Sequence, residues 1–75
     1  MKGQVTNVNG DFKIAGKYNG IEFTIETQAG EEKKYSVFAN SDIAASIRAL
    51  RKDQWVEVGF EQKGKYKNVS SVTVI

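Results

Sequence analysis

Residues 21–39 read IEFTIETQAGEEKKYSVFA and decide the fold of this 75-residue chain. Two short stretches alternate apolar and polar residues, and a turn signal at residues 28–31 separates them. Their apolar members are Ile21, Phe23 and Ile25 before the turn and Tyr35, Val37 and Ala39 after it. Alternation with period two is typical of strands buried on one face, so the stretch predicts a β-hairpin.

A hairpin that turns about Gly30 places both apolar sets on one face. The predicted inner pairs are Ile25 with Tyr35, Phe23 with Val37, and Ile21 with Ala39. The predicted outer pairs are Glu26 with Lys34, Thr24 with Ser36, and Glu22 with Phe38. The agreement of two independent alternations in one register supports the prediction.

The flanking sequence supplies the other elements. Residues 3–8 predict a first strand with a bulge, and residues 9–20 predict a long first connection. Residues 42–52 predict an amphipathic helix with N-cap residues at positions 40–42. Residues 55–61 predict a fourth strand and residues 63–65 a turn. Residues 66–75 predict a fifth strand, in which the change of phase between Val69 and Val72 requires either a bulge near Ser70 and Ser71 or apolar residues on both faces.

The element order β-β-β-α-β-β predicts an all-β domain with one helix, spanning residues 1–75. Seventy-five residues support a single hydrophobic core. A five-stranded Greek-key barrel needs this order, and its helix covers one open end. Cold-shock and SH3-like barrels do not place a helix of three turns after the third strand.

Composition argues against catalysis, cofactors and metal sites. The chain has no histidine and no cysteine, which removes the usual bases, nucleophiles and zinc ligands. Most of its nine carboxylates alternate with apolar residues and should face solvent. No signal peptide and no apolar run of about 18 residues are present, so we expect a cytoplasmic protein that does not enter membranes.

Binding of single-stranded nucleic acid needs cations for phosphates and exposed aromatic rings for bases. Eleven Lys and Arg face nine Asp and Glu, so net charge alone does not argue for it. The arrangement does, because lysines and aromatics gather in loops and on outward strand positions. The candidate residues are Lys13, Lys17, Tyr18, Lys33, Lys34, Phe38, Trp55, Lys63, Lys65, Tyr66 and Lys67.

Each candidate also has an ordinary structural explanation. Lysines at hairpins keep sheet edges from pairing with other chains. Phe38 and Trp55 are out of phase with their buried neighbours, so they face outward unless a bulge or the helix covers them. Tyr66 lies between two lysines, where it could contact a base or mark a solvated turn.

The pattern resembles that of a known group of proteins. The matching stretches are residues 1–5 (MKGQV), 35–39 (YSVFA), 55–58 (WVEV) and 65–72 (KYKNVSSV), together with the helix. The chain resembles the small oligonucleotide/oligosaccharide-binding (OB) fold proteins of bacteria, phages and mobile elements, in particular single-stranded DNA-binding domains. The resemblance implies sequence-independent binding of single-stranded DNA, with a role in replication, recombination or plasmid and phage maintenance.

Two observations keep alternatives open. Glu22 and Glu26 lie on the predicted outer face, where carboxylates repel phosphate. Phe38 and Trp55 could instead form an apolar patch of a protein-interaction or assembly module, including a homodimer. RNA remains a second nucleic-acid ligand, because contacts to its 2′-hydroxyl leave no spacing signature.

Overall fold

The computed structural model describes residues 1–64 and 66–75, and the side chains of Lys63, Tyr66 and Lys67 lie outside that description. The described residues form five strands and one short helix, which are β1 (Lys2–Ile14), β2 (Tyr18–Glu26), β3 (Glu32–Phe38), α1 (Ala44–Arg48), β4 (Trp55–Lys63) and β5 (Tyr66–Val74). All strand pairs are antiparallel, in the sheet order β3-β2-β1-β4-β5.

Strand β1 is longer than the sequence predicts. The prediction of a long first connection at residues 9–20 is wrong, because residues 9–14 continue β1 and pair with the start of β2. Irregularities between Val5 and Asn7 and between Asn9 and Phe12 explain the difference. Each one changes which side chains face inward, so a continuous strand shows a broken alternation. The predicted bulge in the first strand is confirmed.

The β2–β3 hairpin has the predicted faces but a different register. Ile21 pairs with Val37, Phe23 with Tyr35 and Ile25 with Lys33, so every predicted pair is wrong by two residues. The outer pairs are Glu22 with Ser36, Thr24 with Lys34, and Glu26 with Glu32. The loop centres on residue 29: Thr27 N donates to Glu31 O at 2.9 Å and Gly30 N donates to Thr27 O at 2.9 Å. A slip of two residues leaves every side chain on its face.

Helix α1 is shorter than the predicted span of residues 42–52. It begins after Ile43, with no side-chain cap, and ends at Arg48. Before it, a turn takes over the capping position, because Ser41 N donates to Phe38 O at 3.0 Å. After it, Gln54 Oε1 accepts a hydrogen bond from Arg51 N at 2.8 Å, within a turn. Ile43, Ile47 and Leu50 nevertheless pack in or against the core, as their i, i+4, i+7 spacing predicts, and Ala44 is buried beside them.

The core lies inside the curved sheet and under α1. Its fully buried members of largest volume are Phe23, Ile21, Ile25, Ile47, Val5, Val56 and Val58. The ring of Tyr35 packs against those of Phe23 and Phe60, with centroids 5.6 and 5.2 Å apart. These three rings lie in or against the core.

The sheet is open between β3 and β5, whereas the sequence predicts a closed barrel. The two edge strands approach each other, but no ladder joins them among the described residues. Gly59 and Phe60 of β4 pair with Ser71 and Val69 of β5, so Ser70 is the extra residue of the predicted bulge in β5. No helix in the described part of the chain has the length and hydrophobicity needed to cross a bilayer.

Candidate functional site

Two exposed aromatic side chains meet on the outer face of β2 and β3. Tyr18 and Phe38 are 50% and 51% exposed, and their rings pack edge to face with centroids 6.0 Å apart at 85°. Phe38 pairs with Gly20, two residues along β2 from Tyr18, so the rings share one face. We call Tyr18 and Phe38 the aromatic platform.

Gly20 keeps the strands close at the platform. A Cβ atom at this position would lie 2.7 Å from two carbons of the Ile14 side chain and 3.1 Å from Val37 O. Ile14 pairs with Tyr18, so its side chain lies over Gly20 on the same face as the platform. The platform thus rests on three strands.

Lys17 supplies a cation beside the platform. Its Nζ lies 5.2 Å from the centroid of the Tyr18 ring, a cation–π distance. Among the described residues, ion pairs join Lys2 to Glu57 at 3.9 Å and Lys33 to Glu31 at 3.1 Å. No described carboxylate therefore pairs with Lys17, which leaves its charge available to an anion.

The remaining described lysines of the predicted set are placed differently. Lys13 lies in β1 and pairs with Asn19, so it points to the opposite face of the hairpin from Tyr18, and its Nζ donates to Asn19 Oδ1. Lys33 lies opposite Ile25, and Glu31 compensates its charge. Lys34 is on the outer face, four residues from Phe38 and therefore about 13 Å along the strand.

Trp55 lies outside the aromatic platform. It is 39% exposed, as its phase predicts, and pairs with Gln4, which pairs in turn with Glu26. Glu26 is six residues along β2 from Gly20, so Trp55 lies roughly 20 Å from the platform in the strand direction. Glu26 and Glu57 lie on the same outer face as Trp55, and Lys2 pairs with Glu57 there. The structure therefore does not bring Phe38 and Trp55 into one surface.

The four candidates of the last hairpin cannot be placed in the same way. Lys65 lies outside the described residues, and so do the side chains of Lys63, Tyr66 and Lys67. The backbone pairs Lys63 with Tyr66 and Gln62 with Lys67 at the end of the β4–β5 hairpin.

Glu22 is the carboxylate that most opposes an anion at the platform. It is half-buried on the outer face, between Asn9 of β1 and Ser36 of β3, and is two residues from Gly20. Glu26 is exposed at the far end of β2. The predicted pairing of Glu26 with Lys34 does not form, because Glu26 lies opposite Glu32.

Clefts flank the platform. One cleft of about 360 Å³ is lined by Tyr18 and Phe38 together with Asn19, Ala39 and Asn40. A second, of about 340 Å³, lies at the open seam between β3 and β5, with Phe38 in its wall and Val37, Ile43 and Val69 inside. The sequence does not identify Asn19 and Asn40 as residues that line a cleft, because polar residues next to turns carry no signal that separates a ligand contact from solvation.

The described residues contain no group of three histidine, cysteine, aspartate or glutamate side chains that could hold a metal ion. Burial raises the pKa of Tyr35 above its ordinary value, and Lys33 opposes this by a smaller amount. The hydroxyl of Tyr35 donates to Met1 Sδ at 3.0 Å, on the core side of the sheet and away from the platform.

Comparisons with known proteins find no match, whether to protein-family models, to curated proteins or to solved structures.

Proposed function

We propose that this protein binds single-stranded nucleic acid, DNA in preference to RNA, without catalysis and with little dependence on sequence. The observation that carries the proposal is the aromatic platform with Lys17 beside it. Bases stack on exposed rings, and unpaired lysines contact the phosphates between them. A platform that is half exposed and rests on three strands offers such a surface without any rearrangement of the core.

We also propose that the fold is an OB fold, opened between β3 and β5. Its support is the sheet order β3-β2-β1-β4-β5 with a helix between β3 and β4. OB folds are five-stranded, partly open Greek-key barrels that bind ligands across strands 2 and 3. The aromatic platform lies on these two strands, which links the proposed fold to the proposed function.

Stacking gives the expected size of the effect. Truncation of one stacking ring costs about 1–3 kcal/mol per base, or roughly 5- to 150-fold in affinity. Phosphate contacts add a term that weakens with salt. Binding should therefore be strongest at low ionic strength, where Glu22 also repels phosphate most.

The test is a titration of fluorescein-labelled oligo-dT in low salt, followed by anisotropy. We expect Tyr18→Ala and Phe38→Ala each to weaken binding at least fivefold. Trp55→Ala is the matched control, because it removes an exposed aromatic ring roughly 20 Å from the platform. Absence of binding by the wild-type protein in low salt would rule out the proposed function. Equal losses in all three variants would rule out the platform.

A protein-interaction module, including a homodimer, is the second candidate. Its specific support is that two exposed apolar residues, Trp55 and Ile75, are neighbours along the backbone, where Ile75 N donates to Trp55 O at 2.9 Å. Sedimentation at several concentrations separates the two functions. A dimer that buries Trp55 and ignores oligonucleotide favours the second candidate, and competition between DNA and RNA strands tests the ligand preference of the first.

A further inference from the structure

A third cleft, which we call the basic cleft, lies on the other side of the β1–β2 hairpin from the platform. It has a volume of about 310 Å³, and its charged lining residues are Lys13 from β1, Arg48 from α1, and Asp11. Lys13 and Arg48 form no ion pair with a described carboxylate, and Lys13 donates to the neutral amide of Asn19. Two cations against one carboxylate give the cleft a positive balance.

The basic cleft is continuous with the platform. Asn19 and Ala39 line both the cleft at Tyr18 and Phe38 and the basic cleft. Ala39 N donates to Asn19 O at 3.0 Å, so these two residues form a fixed ridge between the two surfaces. Gly10 also lines the basic cleft, and no atom lies within 4 Å of the position that a Cβ would take there, so this side of the cleft is open.

We propose that the basic cleft binds a phosphate group, and that this phosphate belongs to the same strand whose bases stack on the platform. The strand would pass over the ridge of Asn19 and Ala39, from the outer face of the sheet to the helix side. This inference rests on the proposed function for the source of the phosphate. The chemistry of the cleft itself depends only on Lys13 and Arg48.

The sequence gives no indication of this arrangement. Lys13 is a predicted nucleic-acid contact in the predicted first connection, whereas Arg48 falls near the C-terminal end of the predicted helix, where a cation needs no ligand to explain it. Their approach depends on β1 continuing to Ile14 and on the position of α1, which are features of the folded chain.

The experiment compares Lys13→Gln and Arg48→Gln with Lys52→Gln. Glutamine at position 13 retains a donor for Asn19, and Lys52 is an exposed cation that does not line the cleft. Labelled oligo-dT of increasing length is titrated against each variant at several salt concentrations. We expect Lys13→Gln and Arg48→Gln to weaken binding of long oligomers about two- to fivefold and to lower the salt slope by about 0.7 each. Asp11→Asn should have the opposite effect, and the shortest oligomers should bind all variants alike.

A second arm titrates inorganic pyrophosphate and follows the backbone amides of Gly10 and Ala39 by NMR. Shifts that vanish in Arg48→Gln support a phosphate site even if the wild-type protein binds no DNA, and the source is then a free anion. If DNA binds but the Lys13, Arg48 and Lys52 variants behave alike, the path over the ridge is wrong while the platform stands. If pyrophosphate also causes no shift, the phosphate site is overturned.

Discussion

Replacement of Gly3 by alanine should destabilise the protein through a clash that the surrounding structure cannot relieve. A Cβ atom at this position would lie 2.9 Å from Ile25 Cδ1 and 3.0 Å from both Ile25 Cβ and Glu26 O. Carbon atoms in contact are normally about 3.5–4.0 Å apart. Ile25 is fully buried, and Glu26 O belongs to the backbone of a central strand. Neither can move without disturbing the core or the β1–β2 ladder.

The magnitude follows from a comparison with Gly10 of the same strand, where no atom lies within 4 Å of an added Cβ. Gly→Ala lowers the entropy of the unfolded chain and by itself stabilises by about 0.4–1 kcal/mol. Overpacking at Gly3 costs about 1–3 kcal/mol. The free energy of unfolding should therefore be about 1–3 kcal/mol lower in Gly3→Ala than in Gly10→Ala. For a domain of this size, that difference corresponds to roughly 4–24 °C in Tm.

Urea unfolding, followed by far-ultraviolet circular dichroism and by Trp55 fluorescence, measures both variants. The Ile25→Val background removes the nearest atom, Cδ1, and should reduce the cost of Gly3→Ala in a double-mutant cycle. Equal midpoints for Gly3→Ala and Gly10→Ala would refute the packing argument. So would an undiminished cost in the Ile25→Val background, since Ile25 Cδ1 is the closest obstacle.

Three further outcomes can be measured on single variants. Ile47→Ala should lower the free energy of unfolding by about 2–5 kcal/mol in thermal melts, because the Ile47 side chain of α1 is fully buried in the core. The control Arg51→Ala, at an exposed position, should change it by less than about 0.5 kcal/mol. Burial raises the pKa of Tyr35 above 10.0, more than Lys33 lowers it, so the folded state holds the phenol proton more tightly than the unfolded state. The stability that this group contributes is intact below pH 10 and is lost as the pH rises through the higher native pKa. The phenolate absorbance of Tyr35, measured as the difference between wild type and Tyr35→Phe, should therefore appear at a higher pH in folded than in urea-unfolded protein. Glu22→Gln should strengthen oligo-dT binding, most at low salt, and an unchanged anisotropy titration would remove Glu22 from the binding surface.

Alternation in the sequence predicts the faces of the central strands, but it leaves their register open. Ile21, Phe23 and Ile25 are buried as expected, and Phe38 is exposed as expected. A slip of two residues keeps all of these facts true, and only the hydrogen bonds of the loop around Ala29 decide between the registers. Patterns of polarity cannot supply that information.

Bulges explain why the sequence predicts a connection at residues 9–20 where the structure has a strand, and tertiary contacts explain the open sheet and the position of Trp55. Two irregularities in β1 hide a continuous strand behind a broken pattern, whereas the Val69 and Val72 phase change reveals the bulge at Ser70. Closure of a sheet depends on β3 and β5, which are neither adjacent in sequence nor marked by a shared pattern. The outward direction of Trp55 follows from its phase, but its distance from Phe38 follows from the pairing of Gln4 with Glu26.

The sheet consists of two local units joined at one place. Strands β1 to β3 form consecutive hairpins, and β4 and β5 form another. Among the described residues, the β1–β4 ladder that joins them pairs Lys2, Gly3 and Gln4 with residues 55–57, and backbone hydrogen bonds of Met1 with Val58 and of Val5 with Asp53 and Gln54 flank it. Closing a loop of about 50 residues costs entropy before those contacts form, so docking of the two units should limit the folding rate. Hydrogen exchange should also resolve an opening in which each unit keeps its own amides protected while the amides of the joining ladder exchange.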